Sequence, residues 1–293
     1  MPPKTMITDV ADTAFWVAHY RALESKRPDA LFNDSLAIKL VGEKGKKIAE
    51  SMKTSRFVNW HVVIRTWIID KIIKDAVVEG VDTVLNLGAG LDTRPYRLDL
   101  PASLKWIEVD QDSIMDFKEQ KLRDENPKCQ LIRYKLDLSK ISERRKLFTQ
   151  INSESKKVLV LTEGVVPYLT EDLVAEIAKD LKSQDHFYYW ILEYYSPMAA
   201  KNMQRRGLSA QMKNAPFKFF PADWYGFFEK LGWKVSQIKY LHVESKNLGR
   251  KAPMPYVWPM LSAILKIISP NKLNKITEGL AKSIGYAVLS PKN

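Results

Sequence analysis

A glycine pair and a carboxylate 20 residues beyond it are the residues best suited to bind a ligand. An apolar segment over 83–87 leads into Gly88-Ala89-Gly90, where the missing Cβ atoms of the glycines let the backbone approach a ligand closely. The next apolar segment, 105–109, ends at Asp110. In doubly wound α/β folds, a carboxylate at this strand end binds the ribose hydroxyls of an adenosine. Together, the two features predict an adenosine-containing ligand.

The residues after Gly90 indicate which kind of adenosine ligand this is. A nicotinamide dinucleotide, and hence a dehydrogenase, is the competing interpretation, but its G-x-G-x-x-G/A pattern needs a small third residue, and Thr93 stands there. Asp92 would also set a negative charge close to the pyrophosphate of a dinucleotide. S-adenosylmethionine has no phosphate and carries positive charge on its sulfonium and its amine. The sequence therefore favours S-adenosylmethionine as the cofactor.

Two further strand ends carry residues that fit the same ligand. The segment starting at 131 ends in Asp137-Leu138, which suits an adenine amine and ring edge, and the segment 158–162 ends in Glu163, which suits the ammonium of the methyl donor. Taken alone, Asp137 is better explained as a helix cap. Because ligands of open α/β sheets bind outside the carboxyl ends of the strands, we expect all these residues to line one crevice.

The elements that must position these residues follow from the hydrophobic pattern. Residues 1–80 show helical spacing, with helices predicted from about 8 to 24, from about 33 to 42 and from 57 to 78. From residue 81 onward, short apolar runs alternate with amphipathic stretches, as in a parallel sheet with crossover helices. The predicted strands are 83–87, 105–109, 131–134, 158–162, 187–192, 233–241 and 284–289.

The chain resembles the leucine carboxyl methyltransferase-like family of class I methyltransferases, and within it a bacterial branch associated with polyketide or other secondary metabolism. The resemblance covers nearly the whole chain, and the glycine turn and the EGVVPYL segment are its most specific parts. The segments that carry it are TAFWVAHYRALESKRPDALFNDSLA (13–37), IRTWIIDKII (64–73), LNLGAGLDTRPYRL (85–98), WIEVDQ (106–111), KLDL (135–138), LTEGVVPYLT (161–170) and IGYAVLSPK (284–292).

The resemblance implies a fold and a set of cofactor contacts. It implies a Rossmann-like α/β fold: a seven-stranded, mostly parallel sheet whose last strand is antiparallel, with a helical N-terminal lid over 1–80. We expect one domain over 1–293, with inserts at about 196–222 and 243–282 in the core that starts at 81. The implied cofactor-binding residues are Arg65 for the carboxylate of the methyl donor, Gly88, Ala89 and Gly90 for its methionine part, Asp110 for the ribose, Asp137 and Leu138 for the adenine, and Glu163 for the amine.

The acceptor of the methyl group is not specified by any of these motifs. A carboxylate acceptor needs no base, whereas a hydroxyl acceptor needs a group that takes its proton. His19, Tyr168 and Tyr195 are the candidates for such a catalytic role. His61 has Arg65 rather than a metal ligand at i+4, so we expect no metal site. The leading hypothesis is an O-methyltransferase acting on a carboxylate or hydroxyl of a small molecule, and the alternative is a protein C-terminal carboxyl methyltransferase.

Charge and composition add a third class of hypothesis. Residues 201–293 hold 16 Lys and Arg but 4 Asp and Glu, whereas residues 1–200 hold 30 of each, so the net charge of +12 arises in the last third. Such a surface suits weak contact with an anionic membrane, so a basic membrane-associated binder that retains the methyltransferase fold is the remaining alternative. Nucleic acid is a less favoured partner, because no RNA-binding module is recognisable. The lone Cys129 and the absence of a signal-like N-terminus favour a cytoplasmic protein.

Overall fold

A computed structural model describes residues 11–51, 55–206, 215–253, 262–263, 266 and 268–292. Three helices come first: α1 (Ala11–Glu24), α2 (Ser35–Ser51) and α3 (Ser55–Val78). The predicted first and third helices are confirmed within the described residues, and the predicted start near residue 8 lies outside them. None of the described helices combines the length and the apolarity needed to cross a membrane.

The prediction that a helical segment ends by Gly42 is confirmed, because Gly42 has non-helical φ and ψ, and a second helical segment that was not predicted follows it within α2. Gly42 takes a positive φ of 53° and bends α2, but the helix resumes and reaches Ser51. Beyond the bend, Ile48 is fully buried. A Cβ on Gly45 would come within 2.8 Å of the carbonyl oxygen of Phe15, so this second half packs tightly against α1. Glycine thus ends the first helical segment, and packing on a neighbouring helix stabilises the second.

The seven predicted strands are confirmed and form one mixed sheet in the order β3-β2-β1-β4-β5-β7-β6. β7 is antiparallel to both of its neighbours, while the strands from β3 to β5 are parallel to one another. The fifth strand runs three residues further than predicted, which brings Glu193 and Tyr195 onto the sheet. The strands are β1 (Thr83–Leu87), β2 (Lys105–Asp110), β3 (Gln130–Lys135), β4 (Val158–Leu161), β5 (Phe187–Tyr195), β6 (Trp233–Tyr240) and β7 (Ile284–Pro291).

Helices flank the sheet on both sides, and each crossover helix begins just after a strand ends. The sequence marks these starts well. In the helix after β4, Thr170 is the cap and accepts the backbone N–H of Leu173, while Glu171 and Asp172 suit the helix dipole. The helices after the third are α4 (Arg94–Arg97), α5 (Asp112–Leu122), α6 (Ile141–Glu154), α7 (Glu171–Lys182), α8 (Pro197–Arg206), α9 (Trp224–Lys230), α10 (Leu241–Asn247) and α11 (Pro270–Ala281).

The segment between β6 and β7 departs from the prediction in its first residue. Leu241, predicted to end a strand, instead begins α10 and is fully buried. The amphipathic stretch predicted over 261–268 lies largely outside the described residues. α11 has no buried residue, and Lys272 and Lys275 on it are exposed. Contact of this basic surface with a membrane remains a prediction.

The core lies on both faces of the sheet, with a third cluster under the N-terminal helices. On one face, Trp190, Phe228 and Trp233 pack with residues of α6, α7 and α9. On the other face, Trp106 packs with the isoleucines of α3. α1 and α2 form the third cluster together with residues of the glycine turn and of α5. This arrangement fixes α1 and α3 above the carboxyl ends of β1, β2 and β4.

Candidate active site

A cavity of about 590 Å³ opens at the carboxyl ends of β1, β2, β4 and β5. All eight residues predicted to bind the cofactor line this cavity. α1 contributes Thr13, Ala14, Trp16 and Val17 to its wall, so the N-terminal helix covers the site. The convergence expected from the strand ends is therefore present in the structure.

The glycine turn has a backbone shape that requires glycine at both positions. Gly88 and Gly90 have φ values of 69° and 47°, in the left-handed region that side chains rarely adopt. A Cβ on Gly88 would lie 2.4 Å from Cγ2 of Val165, and one on Gly90 would lie 3.3 Å from Cβ of Ala14. The turn is thus closed in by the loop after β4 on one side and by α1 on the other.

Asp110 at the end of β2 is tied to the glycine turn. Its Oδ2 accepts the backbone N–H of Gly90 (2.6 Å) and its Oδ1 accepts that of Gln111 (2.7 Å). Burial raises the pKa of Asp110, and the two backbone N–H groups act in the opposite direction. Each oxygen retains a lone pair, so the carboxylate can still accept hydrogen bonds from a pair of hydroxyls.

Asp137 and Leu138 form the outer rim of the cavity. Asp137 is exposed, and its Oδ1 accepts the backbone N–H of Ser139 (2.9 Å). These bonds to Ser139 lower the pKa of Asp137. Leu138 is partly buried, and its carbonyl accepts a hydrogen bond from the buried guanidinium of Arg144. Asp137 therefore both accepts the hydrogen bond of a cap-like turn and lines the cavity.

Glu163 lies between two arginines at the end of β4. Its Oε2 accepts from Nη1 of Arg94 (2.7 Å), and its Oε1 lies 2.9 Å from Nε of Arg65. Burial raises the pKa of Glu163, but the two guanidinium charges outweigh it, so the pKa is lowered and the carboxylate is ionised. The Nε–H of Arg65 is not directed at any hydrogen-bond acceptor among the described residues. A carboxylate and a guanidinium thus face the cavity together.

This pair is one end of a chain of buried ion pairs that sequence reasoning missed. Arg94 also pairs with Asp92 (2.8 Å) and with Asp70 (2.7 Å), and Asp70 pairs with Arg97 (2.5 Å). From Arg97 the chain continues through Asp34 to Arg21 on α1, which also donates to the carbonyl of Leu91 in the glycine turn. We call this chain the ion-pair relay; its members are Arg21, Asp34, Asp70, Asp92, Arg94, Arg97, Glu163 and Arg65.

The ion-pair relay is balanced, with four positive and four negative side chains. It includes Asp92, whose pKa is held low by Arg94 and the other cations although burial acts against it. The sequence signal for the relay is weak, because its partners lie on α1, α3 and the segments after β1 and β4. The one indication was the pattern of Asp92, Arg94 and Arg97 directly after the glycine turn.

The three catalytic candidates differ in their positions. Tyr168 and Tyr195 line the cavity, whereas His19 lies outside the set of described residues that line it. Burial raises the pKa of Tyr168 to about 12 and raises that of Tyr195 further, so both hydroxyls stay protonated at neutral pH. His61 also lines the cavity, and burial beside Arg65 lowers its pKa to about 3.

Comparison with known proteins places these features in a family. The sequence profile described as leucine carboxyl methyltransferase matches residues 14–182, which span α1 to α7. The chain belongs to the leucine carboxyl methyltransferase family. Membership confirms the family that the sequence predicts.

Individual relatives of this chain are named as S-adenosyl-L-methionine-dependent methyltransferases. A protein of Streptomyces avermitilis named as an S-adenosyl-L-methionine-dependent methyltransferase is 32% identical over 182 residues, which cover 59% of this chain and 64% of that protein. One from Streptomyces coelicolor with the same name is 33% identical over 55% of this chain and 60% of its own length. The match thus spans about three fifths of these relatives. A Mycobacteroides abscessus protein of the same name is 28% identical, over 85% of this chain and 90% of its own length.

A solved structure supports the fold. The crystal structure of a DUF574 family protein from Streptomyces avermitilis has a TM-score of 0.53 to this chain and covers 94% of it and 96% of itself. At 13% identity, the likeness concerns the fold alone. The α/β class with a seven-stranded sheet, predicted from the sequence, is confirmed.

The residues of the cavity fit the cofactor of the leucine carboxyl methyltransferase family. An amino-acid zwitterion needs one cation and one anion side by side, and Arg65 with Glu163 supplies them, with the Nε–H of Arg65 lacking an acceptor. The bare backbone at Gly88 and the carboxylate of Asp110 lie in the same cavity. Within the described ranges, no group of three or more His, Cys, Asp or Glu side chains is arranged to hold a metal ion.

Proposed function

We propose that this chain transfers a methyl group from S-adenosylmethionine to an oxygen atom of a small, largely apolar acceptor. The observation that carries the proposal is the single cavity that combines a zwitterion-binding pair, a bare glycine turn and a buried carboxylate at the end of β2. The family membership supports the cofactor. The apolar part of the wall, including Val58, Val62 and Phe217, supports an apolar acceptor.

The roles of the individual residues follow from their chemistry. Arg65 would hold the carboxylate of the methionine part and Glu163 its ammonium, since each faces the cavity with the opposite charge. Asp110 would hold the two ribose hydroxyls, and the backbone of Gly88, Ala89 and Gly90 would pass close under the ligand. Asp137 and Leu138 at the rim would take the adenine.

The wall of the cavity would exclude water from the reaction. When bound, S-adenosylmethionine supplies a methyl group on a sulfonium, which an oxygen nucleophile attacks at the methyl carbon, in line with the departing sulfur. The chain has to align the acceptor and keep water out. Trp16 and Val17 on α1 and Phe217 provide an apolar cover for that purpose.

Calorimetric titration with S-adenosylhomocysteine tests the proposal. We expect wild type to bind and Asp110→Ala to bind about 10- to 150-fold more weakly, because a charge-assisted hydrogen bond contributes about 1.5–3 kcal/mol. Asp82→Ala is the matched control. Asp82 also accepts two backbone N–H groups, from Lys156 (2.9 Å) and Lys157 (3.2 Å), but it precedes β1, whereas Asp110 is the last residue of β2.

The outcomes separate the hypotheses. Equal loss of affinity in Asp110→Ala and Asp82→Ala would mean that the first variant acts only through the fold. Absence of binding by wild type would refute the proposed cofactor site. With a labelled donor, base-labile label on protein rather than on small molecules would instead favour a protein carboxyl acceptor.

A further inference from the structure

Glu193, near the end of β5, is a buried carboxyl that the cofactor assignment does not use. It lines the cavity with only 4% of its surface exposed. Its Oε1 accepts the backbone N–H of Gly164, directly after Glu163. Its Oε2 has no hydrogen-bond partner among the described residues. A carboxyl with an unfilled hydrogen-bond site at a ligand cavity calls for a ligand group that can fill it.

The charges around Glu193 leave it without a counter-ion. The ion-pair relay is balanced without it, and within the described part of the chain Glu193 is in no ion pair. Arg65 on α3 acts on it from one side, but Arg65 already faces Glu163. The other titratable groups that interact with it are hydroxyls and a carboxylate: Tyr168, Tyr195, Tyr286 on β7, and Glu163.

The balance of these influences leaves Glu193 partly ionised near neutrality, so that its carboxylate form is available to take a proton. Burial raises its pKa to about 7; the Gly164 N–H and the charge of Arg65 act against this, and the charge of Glu163 adds to it. A general base works best when its pKa lies near the working pH. The other cavity-lining candidates lie far from that range, because His61 has a pKa lowered to about 3 and Tyr168 one raised to about 12.

We propose that Glu193 is the catalytic base that takes the proton of a hydroxyl acceptor, so that the chain methylates hydroxyls rather than carboxylates. In the step, the O–H bond of the acceptor breaks and its proton passes to the carboxylate of Glu193. The new bond joins the acceptor oxygen to the methyl carbon, and the carbon–sulfur bond of the donor breaks with its electron pair left on sulfur. A carboxylate acceptor has no such proton and would meet Glu193 as a like charge.

This inference rests on the proposed function, so the first measurement separates the two. S-adenosylhomocysteine is titrated into wild type, Glu193→Gln and the surface control Glu229→Gln. We expect affinities within about threefold of one another, since Glu193 is not assigned to the cofactor. No binding by wild type would refute the proposed function, whereas binding by wild type with a large loss in Glu193→Gln would make Glu193 a cofactor ligand and overturn the inference alone.

Infrared spectroscopy of the same complexes tests the proton directly and needs no acceptor. We expect a protonated-carboxyl band that disappears with a midpoint near pH 7 in wild type and in Glu229→Gln and is missing from Glu193→Gln. A band that titrates in the ordinary glutamate range, or one that Glu193→Gln retains, would overturn the inference.

Transfer from labelled donor to 2-naphthol and to 2-naphthoic acid tests the choice of acceptor. The two probes share one apolar ring system and differ in the reacting group. We expect methylation of 2-naphthol by wild type, with kcat/KM lowered by about 10²–10⁴ in Glu193→Gln and KM little changed. Methylation of 2-naphthoic acid alone, or methylation of 2-naphthol at an equal rate by Glu193→Gln, would overturn the inference.

Discussion

Gly88→Ala is the substitution whose cost the structure defines most closely. Gly88 has a φ of 69°, and a residue with a Cβ in that conformation costs about 1–2 kcal/mol. The new Cβ would also lie 2.4 Å from Cγ2 of Val165, a contact that cannot persist without movement. Overpacking of this kind costs about 1–3 kcal/mol. We therefore expect Gly88→Ala to lower the free energy of unfolding by about 2–5 kcal/mol.

Gly164→Ala isolates the backbone contribution. Gly164 has a φ of 71°, close to that of Gly88, but apart from its two chain neighbours no described residue has a heavy atom within 4 Å of the position of its Cβ. We expect this variant to lose only the backbone part, about 1–2 kcal/mol. The difference between the two variants is then the collision with Val165.

Urea denaturation followed by tryptophan fluorescence measures both variants, and Val165→Ala completes a double-mutant cycle. Removing Cγ2 of Val165 should restore about 1–3 kcal/mol to Gly88→Ala, because the colliding atom is gone. S-adenosylhomocysteine affinity should fall in Gly88→Ala by a larger factor than in Gly164→Ala. Equal destabilisation by the two alanine variants, with no coupling to Val165→Ala, would refute this account of the turn.

Three further predictions concern stability and are read from the same unfolding measurements. Arg144→Ala should cost about 3–5 kcal/mol because it removes the buried guanidinium that pairs with Asp180. Arg145→Ala, which removes an exposed partner of the same carboxylate, should cost less than about 1 kcal/mol, and similar losses in the two variants would contradict this. The pKa of Glu193 is raised to about 7 by folding, so ionisation destabilises the folded state: relative to Glu193→Gln, wild type should lose about 3 kcal/mol between pH 4 and pH 8, and a constant difference would argue against the shift. Asp223→Ala should cost about 0.5–2 kcal/mol because its carboxylate caps the first turn of α9, and an unchanged midpoint would show that the cap is dispensable.

The strands and the strand-end residues that line the cavity were predictable because their signals are local. Thr83–Leu87 is buried along its whole length, and a short apolar run that leads into Gly88 is a recognisable pattern. Asp110 and Glu163 each follow such a run. Parallel strands bring their carboxyl ends to one edge, so the crevice followed from the order of the segments.

The rest of the site depends on contacts between distant parts of the chain. Arg21 meets Asp34 and the glycine turn only because α1 folds back over the sheet, and no spacing in the sequence predicts this. Glu193 resembles any glutamate at a strand end until its burial and its missing counter-ion are seen. The helical segment after Gly42 was missed for a similar reason, since its packing against α1 joins distant parts of the chain.

The ion-pair relay also limits how this sequence can change over time. Replacing one of its eight members with a neutral side chain leaves one uncompensated charge in the buried chain, at a cost of up to about 3–5 kcal/mol. That is a large fraction of the 5–15 kcal/mol by which a native protein is stable. Single substitutions to a neutral residue are therefore expected to be strongly destabilising at these positions. We expect both members of an ion pair to be replaced together there. In descendants of this chain, the residues at 34 and 97, or at 70 and 94, should therefore vary together or not at all.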